Sequence, residues 1–182
     1  SAVTRAEVNV PEDACIFLYA GVLNSRKNIV WLIENFVRYH ENDEYLLVLG
    51  SGEKEAECKA KADDHVRMLG FQTDPIAYMN ISDVYVSASK SEGFSISVLE
   101  ALSCGLELFL SNIPSHEEVV SMGRTIPVGE LFDEKNIGGA FDNIRSIHSN
   151  KDKIIEFQRE NLSACKMAEL YNSEYQKIER SQ

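Results

Sequence analysis

The sequence has few cations, few cysteines and no long apolar run, and each shortage removes a class of function. Lys plus Arg number 18 against 29 Asp plus Glu, a net charge of −11. A general nucleic-acid binder needs a basic face to release counterions, and a polybasic membrane anchor needs clustered Lys and Arg; this segment supplies neither. The four cysteines, Cys15, Cys58, Cys104 and Cys165, form no Cys-x-x-Cys pair. A zinc ribbon and a thioredoxin-type motif are therefore excluded, and reduced thiols are expected. No stretch approaches the ~20 apolar residues that span a bilayer, and no secretory leader is recognisable. Gly-x-x-x-x-Gly-Lys-Ser/Thr is absent, so there is no P-loop. Gly50-Ser51-Gly52 starts a dinucleotide fingerprint that fails at Glu55, where the third glycine belongs. Gly-x-Ser-x-Gly is also absent, leaving a hydrolase triad without support.

What is present is ordinary globular material, 44% hydrophobic and 26% charged over 182 residues, enough to bury one core without staples. Short apolar runs alternate with helical patterns. Residues 15–21, 45–50, 65–70, 83–87 and 108–110 read as strands, with a short sixth strand at 125–128. Ile29, Leu32, Ile33, Phe36 and Val37 make one helical face within 28–40. Further helices are expected at 53–62, from Asp74-Pro75 to about Asn80, ending near Gly105, and from about Pro114. Met167, Leu170, Tyr171, Tyr175 and Ile178 form an apolar stripe on a final helix. Residues 1–14 and 179–182 read as tails. This alternation predicts a doubly wound, Rossmann-like α/β domain, a parallel sheet of about six strands with helices on both faces. Ligands of such sheets sit at the carboxyl ends of the strands.

Three segments at those ends could carry chemistry. In Gly21-Val22-Leu23-Asn24-Ser25-Arg26-Lys27 two cations precede a helix, where they do nothing for helix stability; a phosphate would explain them, a solvated basic turn is the bland reading. Gly50-Ser51-Gly52 lets backbone approach a ligand closely, although strand-to-helix turns use glycine anyway. Glu92-Gly93-Phe94-Ser95-Ile96-Ser97-Val98-Leu99-Glu100 places two carboxylates across a loop and a helix start. Ser97-x-x-Glu100 also reads as a capping box, as does Ser115-x-x-Glu118. His40, His65, His116 and His148 are scattered and read as structural or solvated. Asp43-Glu44 and Asp63-Asp64 read as solvated acids, and Trp31 as a packing residue.

Together these pieces resemble the C-terminal donor-binding domain of retaining glycosyltransferases of the GT-B fold, family 4. The strongest is Ser89-x-x-Glu92-Gly93-Phe94 with Glu100-Ala101-x-x-x-Gly105, similar to the family's paired-glutamate signature. Gly21 to Lys27, Gly50-Ser51-Gly52, Leu69-Gly70-Phe71 and Ser82-Asp83-Val84 follow in register, so the likeness covers about residues 10–180. It implies that the whole chain, 1–182, is one nucleotide-sugar-binding lobe of a two-lobed enzyme. That enzyme would transfer a sugar from a nucleotide-diphosphate sugar with retention. The resemblance assigns Lys27 to the diphosphate and Glu92 to the transferring sugar, these two being the candidate catalytic residues. Gly93, Phe94, Ser95 and Ile96 fall to the sugar and phosphate, Glu100 to the ribose hydroxyls, and Gly70, Phe71 and Gln72 to the nucleobase. Gly21, Arg26 and Gly52 complete the expected donor site. No Asp-x-Asp metal clamp exists, so no metal and no cofactor are expected.

The resemblance implies an N-terminal acceptor domain as partner, no nucleic acid, and a cytoplasmic location with peripheral membrane contact through that other domain. A chain that starts at Ser1 rather than Met is expected to be a cut-out piece. Three positions depart from the pattern: Val22 replaces the usual arginine, Ser95 the second glycine, and Glu107 the usual proline. The alternatives are a non-catalytic binding or scaffolding relative and a sugar-nucleotide epimerase of the same fold.

Overall fold

The computed structural model describes residues 2–93, 95–123, 126–166, 168 and 169. Thirteen strands and α-helices alternate along them: β1 (Cys15–Ala20), α1 (Ile29–Tyr39), β2 (Glu44–Leu49), α2 (Glu55–Lys61), β3 (Val66–Gly70), α3 (Pro75–Met79), β4 (Val84–Ser87), α4 (Ile96–Ser103), β5 (Glu107–Ser111), α5 (Pro114–Met122), β6 (Gly129–Phe132), α6 (Ile137–Ser146) and α7 (Lys151–Asn161). The strands form one sheet in the order β3-β2-β1-β4-β5-β6. Every pairing is parallel. The predicted doubly wound α/β architecture is what the chain adopts.

Strand side chains alternate between two faces, and each face has its own core. Phe17, Leu46, Val48, Val86 and Phe109 point to the side covered by α1, α2 and α6. Ile16, Leu18, Leu47, Tyr85 and Leu108 point to the side covered by α3, α4, α5 and α7. Both faces being buried, the strands read as continuous apolar runs. The helical periodicity of α1 is realised in Ile29, Leu32, Ile33 and Phe36, all at most 1% exposed. Asp74 caps α3 as its position before Pro75 suggested, accepting from the Ala77 N–H at 3.2 Å. Trp31 stacks on Phe132, ring centroids 5.8 Å apart, and is the packing residue expected.

Several expectations are corrected. The sixth strand is not 125–128 but Gly129–Phe132, hydrogen-bonded to β5 from Leu108↔Gly129 to Ser111↔Phe132. Pro127 has no N–H to donate, which argues against a strand centred there. Gly129 is where the backbones meet most closely, since a Cβ would lie 2.0 Å from the Leu108 carbonyl oxygen.

Residues 2–14 are not a tail. Ala6–Val8 forms a 3-10 turn, Val8, Val10 and Ala14 are buried, and Arg5 hydrogen-bonds the Glu12 and Ala14 carbonyls and Asp83. Glu44 is not solvated. It is 4% exposed and clamped by Arg145, with Nε and Nη2 each 2.8 Å from its two oxygens. Asp63 accepts from His40 Nε2 at 3.0 Å and the His65 N–H at 2.9 Å. The Met167, Leu170, Tyr171, Tyr175 and Ile178 stripe and the tail at 179–182 lie outside the described residues.

Candidate functional site

The turns that leave β1, β2, β3 and β4 meet at the carboxyl edge of the sheet around a cavity of about 530 Å³. Its floor is the β1 and β2 exits. Gly50 adopts φ +137°, and a Cβ there would sit 1.9 Å from the Gly21 carbonyl oxygen. A Cβ at Gly52 would be 2.4 Å from the Leu23 carbonyl. The two glycines are therefore required so that the β1 and β2 turns can touch, and neither is free for a side chain. The Tyr19 hydroxyl donates to the Val22 carbonyl at 3.0 Å, and Asn24 Oδ1 accepts from the Lys27 N–H at 2.9 Å. These bonds fix the turn that carries the two cations.

Both cations close on one carboxylate. Lys27 Nζ lies 2.5 Å from Glu92 Oε1, and Arg26 Nη1 lies 3.1 Å from Glu92 Oε2 and 2.9 Å from the Ser91 carbonyl. The Lys27 and Glu92 side chains are only 15% and 10% exposed, whereas Arg26 is half exposed. Burial pushes the Glu92 carboxyl up. The Lys27 ammonium and the Ser89 hydroxyl outweigh burial, with help from Arg26, and hold it at about 2. Glu92 is thus held ionised by its cations, suited to accept hydrogen bonds from hydroxyls or to face developing positive charge.

Helix α4 supplies the second carboxylate. Its N-cap is Ser95, with no side-chain cap, so Ser97 stands at the second helical position. The capping box expected of Ser97 and Glu100 is not formed, because the helix begins two residues earlier than that motif requires. Ser97 Oγ instead accepts from the Tyr85 hydroxyl at 2.8 Å and lies 3.1 Å from Ser95 Oγ. The Glu100 carboxylate lines the cavity and makes no side-chain hydrogen bond among the described residues. The second expected capping box fails for the same reason: α5 starts at Pro114, which puts Ser115 inside the helix.

On the β3 side, Phe71 is 73% exposed and lines the cavity with Gln72 and Pro75. Gln72 is held rigid, donating to the Leu69 carbonyl at 2.7 Å and accepting from the Tyr78 hydroxyl at 2.9 Å. Ile96, 71% exposed, and Val22, 55% exposed, add apolar surface.

Of the residues singled out in the sequence, Gly21, Lys27, Phe71, Gln72, Glu92, Ser95, Ile96 and Glu100 line this one cavity. Arg26 reaches it through Glu92. Gly52, Gly70 and Gly93 shape the turns without forming its wall, and Phe94 lies outside the described residues. Val22, Pro75 and Ser97 were missed as lining residues. Their signal was only adjacency to a motif, since apolar or hydroxyl side chains carry no chemistry legible by themselves. A larger cavity, about 600 Å³, opens at the opposite ends of the strands beside Cys15, Glu44 and Glu107. None of the candidate site residues lines it.

A parallel doubly wound sheet with paired cations and two carboxylates around a cleft at its carboxyl edge defines a Rossmann-like α/β domain. More particularly, the chain belongs to the Glycosyl transferases group 1 family, whose profile matches residues 2–163. It is 28% identical over 185 aligned residues to the O-antigen biosynthesis glycosyltransferase WclY of Escherichia coli, a match covering 97% of this chain and 50% of that protein. A glycosyltransferase structure from Rickettsia africae superposes with TM-score 0.76 at 21% identity, over 98% of this chain and 51% of the other. The pneumococcal O-GlcNAc transferase GtfA, solved with UDP and GlcNAc, superposes with TM-score 0.67 at 17% identity, over 91% of this chain and 36% of the other. The chain spans about half the length of WclY and of the Rickettsia protein. No helix among the described residues is long and apolar enough to cross a membrane.

Proposed function

We propose that this chain is the donor-binding lobe of a retaining glycosyltransferase that uses a nucleotide-diphosphate sugar. The observation that carries the reading is the placing of Lys27, Glu92 and Glu100 on a single cavity at the carboxyl edge of the sheet. In this reading the diphosphate takes Lys27 and Arg26, together with the free N–H groups of the first turn of α4. Cations and fixed N–H dipoles stabilise the charge that develops on a leaving diphosphate. Glu100 accepts from the two ribose hydroxyls, a pairing that one carboxylate can make with both oxygens. Phe71, Pro75 and Gln72 flank the base. Glu92, held ionised, faces the transferring sugar, where a carboxylate favours the positive character of an oxocarbenium-like transition state. Phosphate neutralisation comes from side chains and amides, so no metal or cofactor is needed.

Acceptor, linkage and any contact with a membrane surface fall to a second, N-terminal lobe of the longer protein. UDP is the first nucleotide to try, because GtfA was solved with it. The test is a thermal-shift panel of UDP, GDP, ADP and their sugars against this chain. Binding of one nucleotide diphosphate at ten times its Kd should stabilise the fold by about 1.4 kcal/mol. No shift with any of them at about 1 mM, a concentration that detects even weak binding, would sink the reading. A second reading, a non-catalytic nucleotide-sugar-binding relative, is favoured by Val22 standing where the family carries arginine. It predicts binding without transfer by the full two-lobed protein.

A further inference from the structure

Beneath the Glu92 loop, behind the cavity wall, lies a histidine that the donor site does not use. His116, third residue of α5, is 1% exposed. Its Nδ1 is 2.9 Å from the Ser111 carbonyl oxygen and 3.3 Å from Ser111 Oγ. A carbonyl only accepts, so Nδ1 carries the proton and Nε2 is bare. Nε2 is buried without a hydrogen-bond partner among the described residues. Burial pushes this imidazole below its usual pKa, partly opposed by the Ser111 contact, and it sits close enough to Glu92 and Lys27 to feel both charges.

The Ser111 proton then has one place to go. Ser111 Oγ accepts from His116 and donates to the Ser89 carbonyl at 2.7 Å. Ser89, itself 1% exposed, lies three residues before Glu92 in the same loop. Ser87 Oγ lies 3.2 Å from Ser89 Oγ, so the two hydroxyls share one bond. A directed chain of buried bonds thus runs from α5 through the end of β5 to the loop after β4.

We propose that His116 is a positioning residue for Glu92: through Ser111 it fixes the Ser89 backbone, and with it the short loop that holds Glu92 against Lys27. The role rests on Glu92 belonging to the donor site, where misplacement by about 1 Å can cost on the order of a hundredfold in rate. Bonded networks of this kind act together, so loosening one member is felt at the other end.

The experiment follows the Glu92 carboxyl by carbon NMR in the ligand-free chain, from about pH 3 to about pH 6, where an unperturbed glutamate titrates and Glu92 should not. His116→Leu and Ser111→Ala should bring the onset of a Glu92 titration into that window, below about pH 4, where the parent stays flat. His116→Asn places an amide N–H near the Nδ1 position and should keep the parental behaviour. Melting temperatures of the variants separate this effect from general loss of packing. Should His116→Leu fail to fold, Ser111→Ala and His116→Asn still decide the matter. A Glu92 signal as flat in folded Ser111→Ala as in the parent, or an onset in His116→Asn equal to that in Ser111→Ala, would overturn the proposal. UDP titration of the parent chain is run separately. Its failure would remove the donor reading while leaving the NMR result intact.

Discussion

Lys27 and Glu100 face the same cavity but are held in different ways, and that difference separates their expected phenotypes. Lys27 is already paired with Glu92, so its removal leaves a buried carboxylate pointing at the place where a diphosphate would sit. Lys27→Ala should weaken UDP binding by about 1.5–3 kcal/mol, the range for a charge-assisted contact, and leave uridine binding nearly unchanged. Equal losses for UDP and uridine in calorimetry would remove Lys27 from the diphosphate. Glu100 has no structural partner among the described residues and does not cap its helix. Glu100→Gln should therefore melt like the parent but lose about 1–2 kcal/mol of UDP affinity. If the affinity does not move, the ribose assignment fails. Position 100 was legible in the sequence through its resemblance to the paired-glutamate signature, not from spacing alone. The capping alternative could not be dismissed there, because it turns on which residue begins the helix.

Among the elements, those whose apolar pattern is strong came through with shifts of a residue or two, as α1 and β2 show. Those set by backbone chemistry did not. The sixth strand was placed four residues early because Ile126 and Val128 looked like strand residues, whereas the ladder needs N–H groups that Pro127 lacks. The buried Glu44–Arg145 clamp was invisible because its partners are 101 residues apart. At the start of β5, Glu107 accepts from the Ser149 N–H at 2.7 Å. Burial raises its carboxyl from the usual 4.5 to about 7, with Asp83 adding to the rise and the Ser149 bond opposing it. A raised acid stabilises the fold fully below the unfolded pKa and loses that contribution as pH rises through the folded one. Stability should thus fall between about pH 4.5 and about pH 7. Glu107→Gln keeps the acceptor oxygen and should flatten this decline, leaving the variant more stable by on the order of 1–2 kcal/mol at about pH 8, after allowance for partial solvent screening. Parallel pH-stability curves for variant and parent would refute the assignment.

At the scale of the whole molecule, the fold was readable because strands and helices alternate over the described length, and the carboxyl-edge rule then located the cleft. The nucleobase, sugar and acceptor were not readable, since those depend on contacts that no motif encodes. A transferase must hold both reactants in line and shut out water. The chain spans about half of WclY, and in the proposed reading it forms one wall of such a cleft. We therefore expect this chain to bind a nucleotide sugar and to give no acceptor-dependent release of nucleotide above the rate without acceptor. Robust acceptor-dependent turnover by the chain alone would contradict the division into lobes.

The contact between Lys27 and Glu92 has a consequence for how such a lobe empties. Any anion that takes the cations must first displace a tethered carboxylate, which competes with it from within the same site. The same carboxylate is at hand to reclaim Lys27 and Arg26 when a spent diphosphate loosens, so the empty lobe acts as its own product inhibitor in reverse. Glu92→Gln should then hold UDP more tightly, by about 1 kcal/mol or more, with the gain in slower dissociation. Unaltered or faster UDP release in stopped-flow displacement would show that the pair opens at no cost.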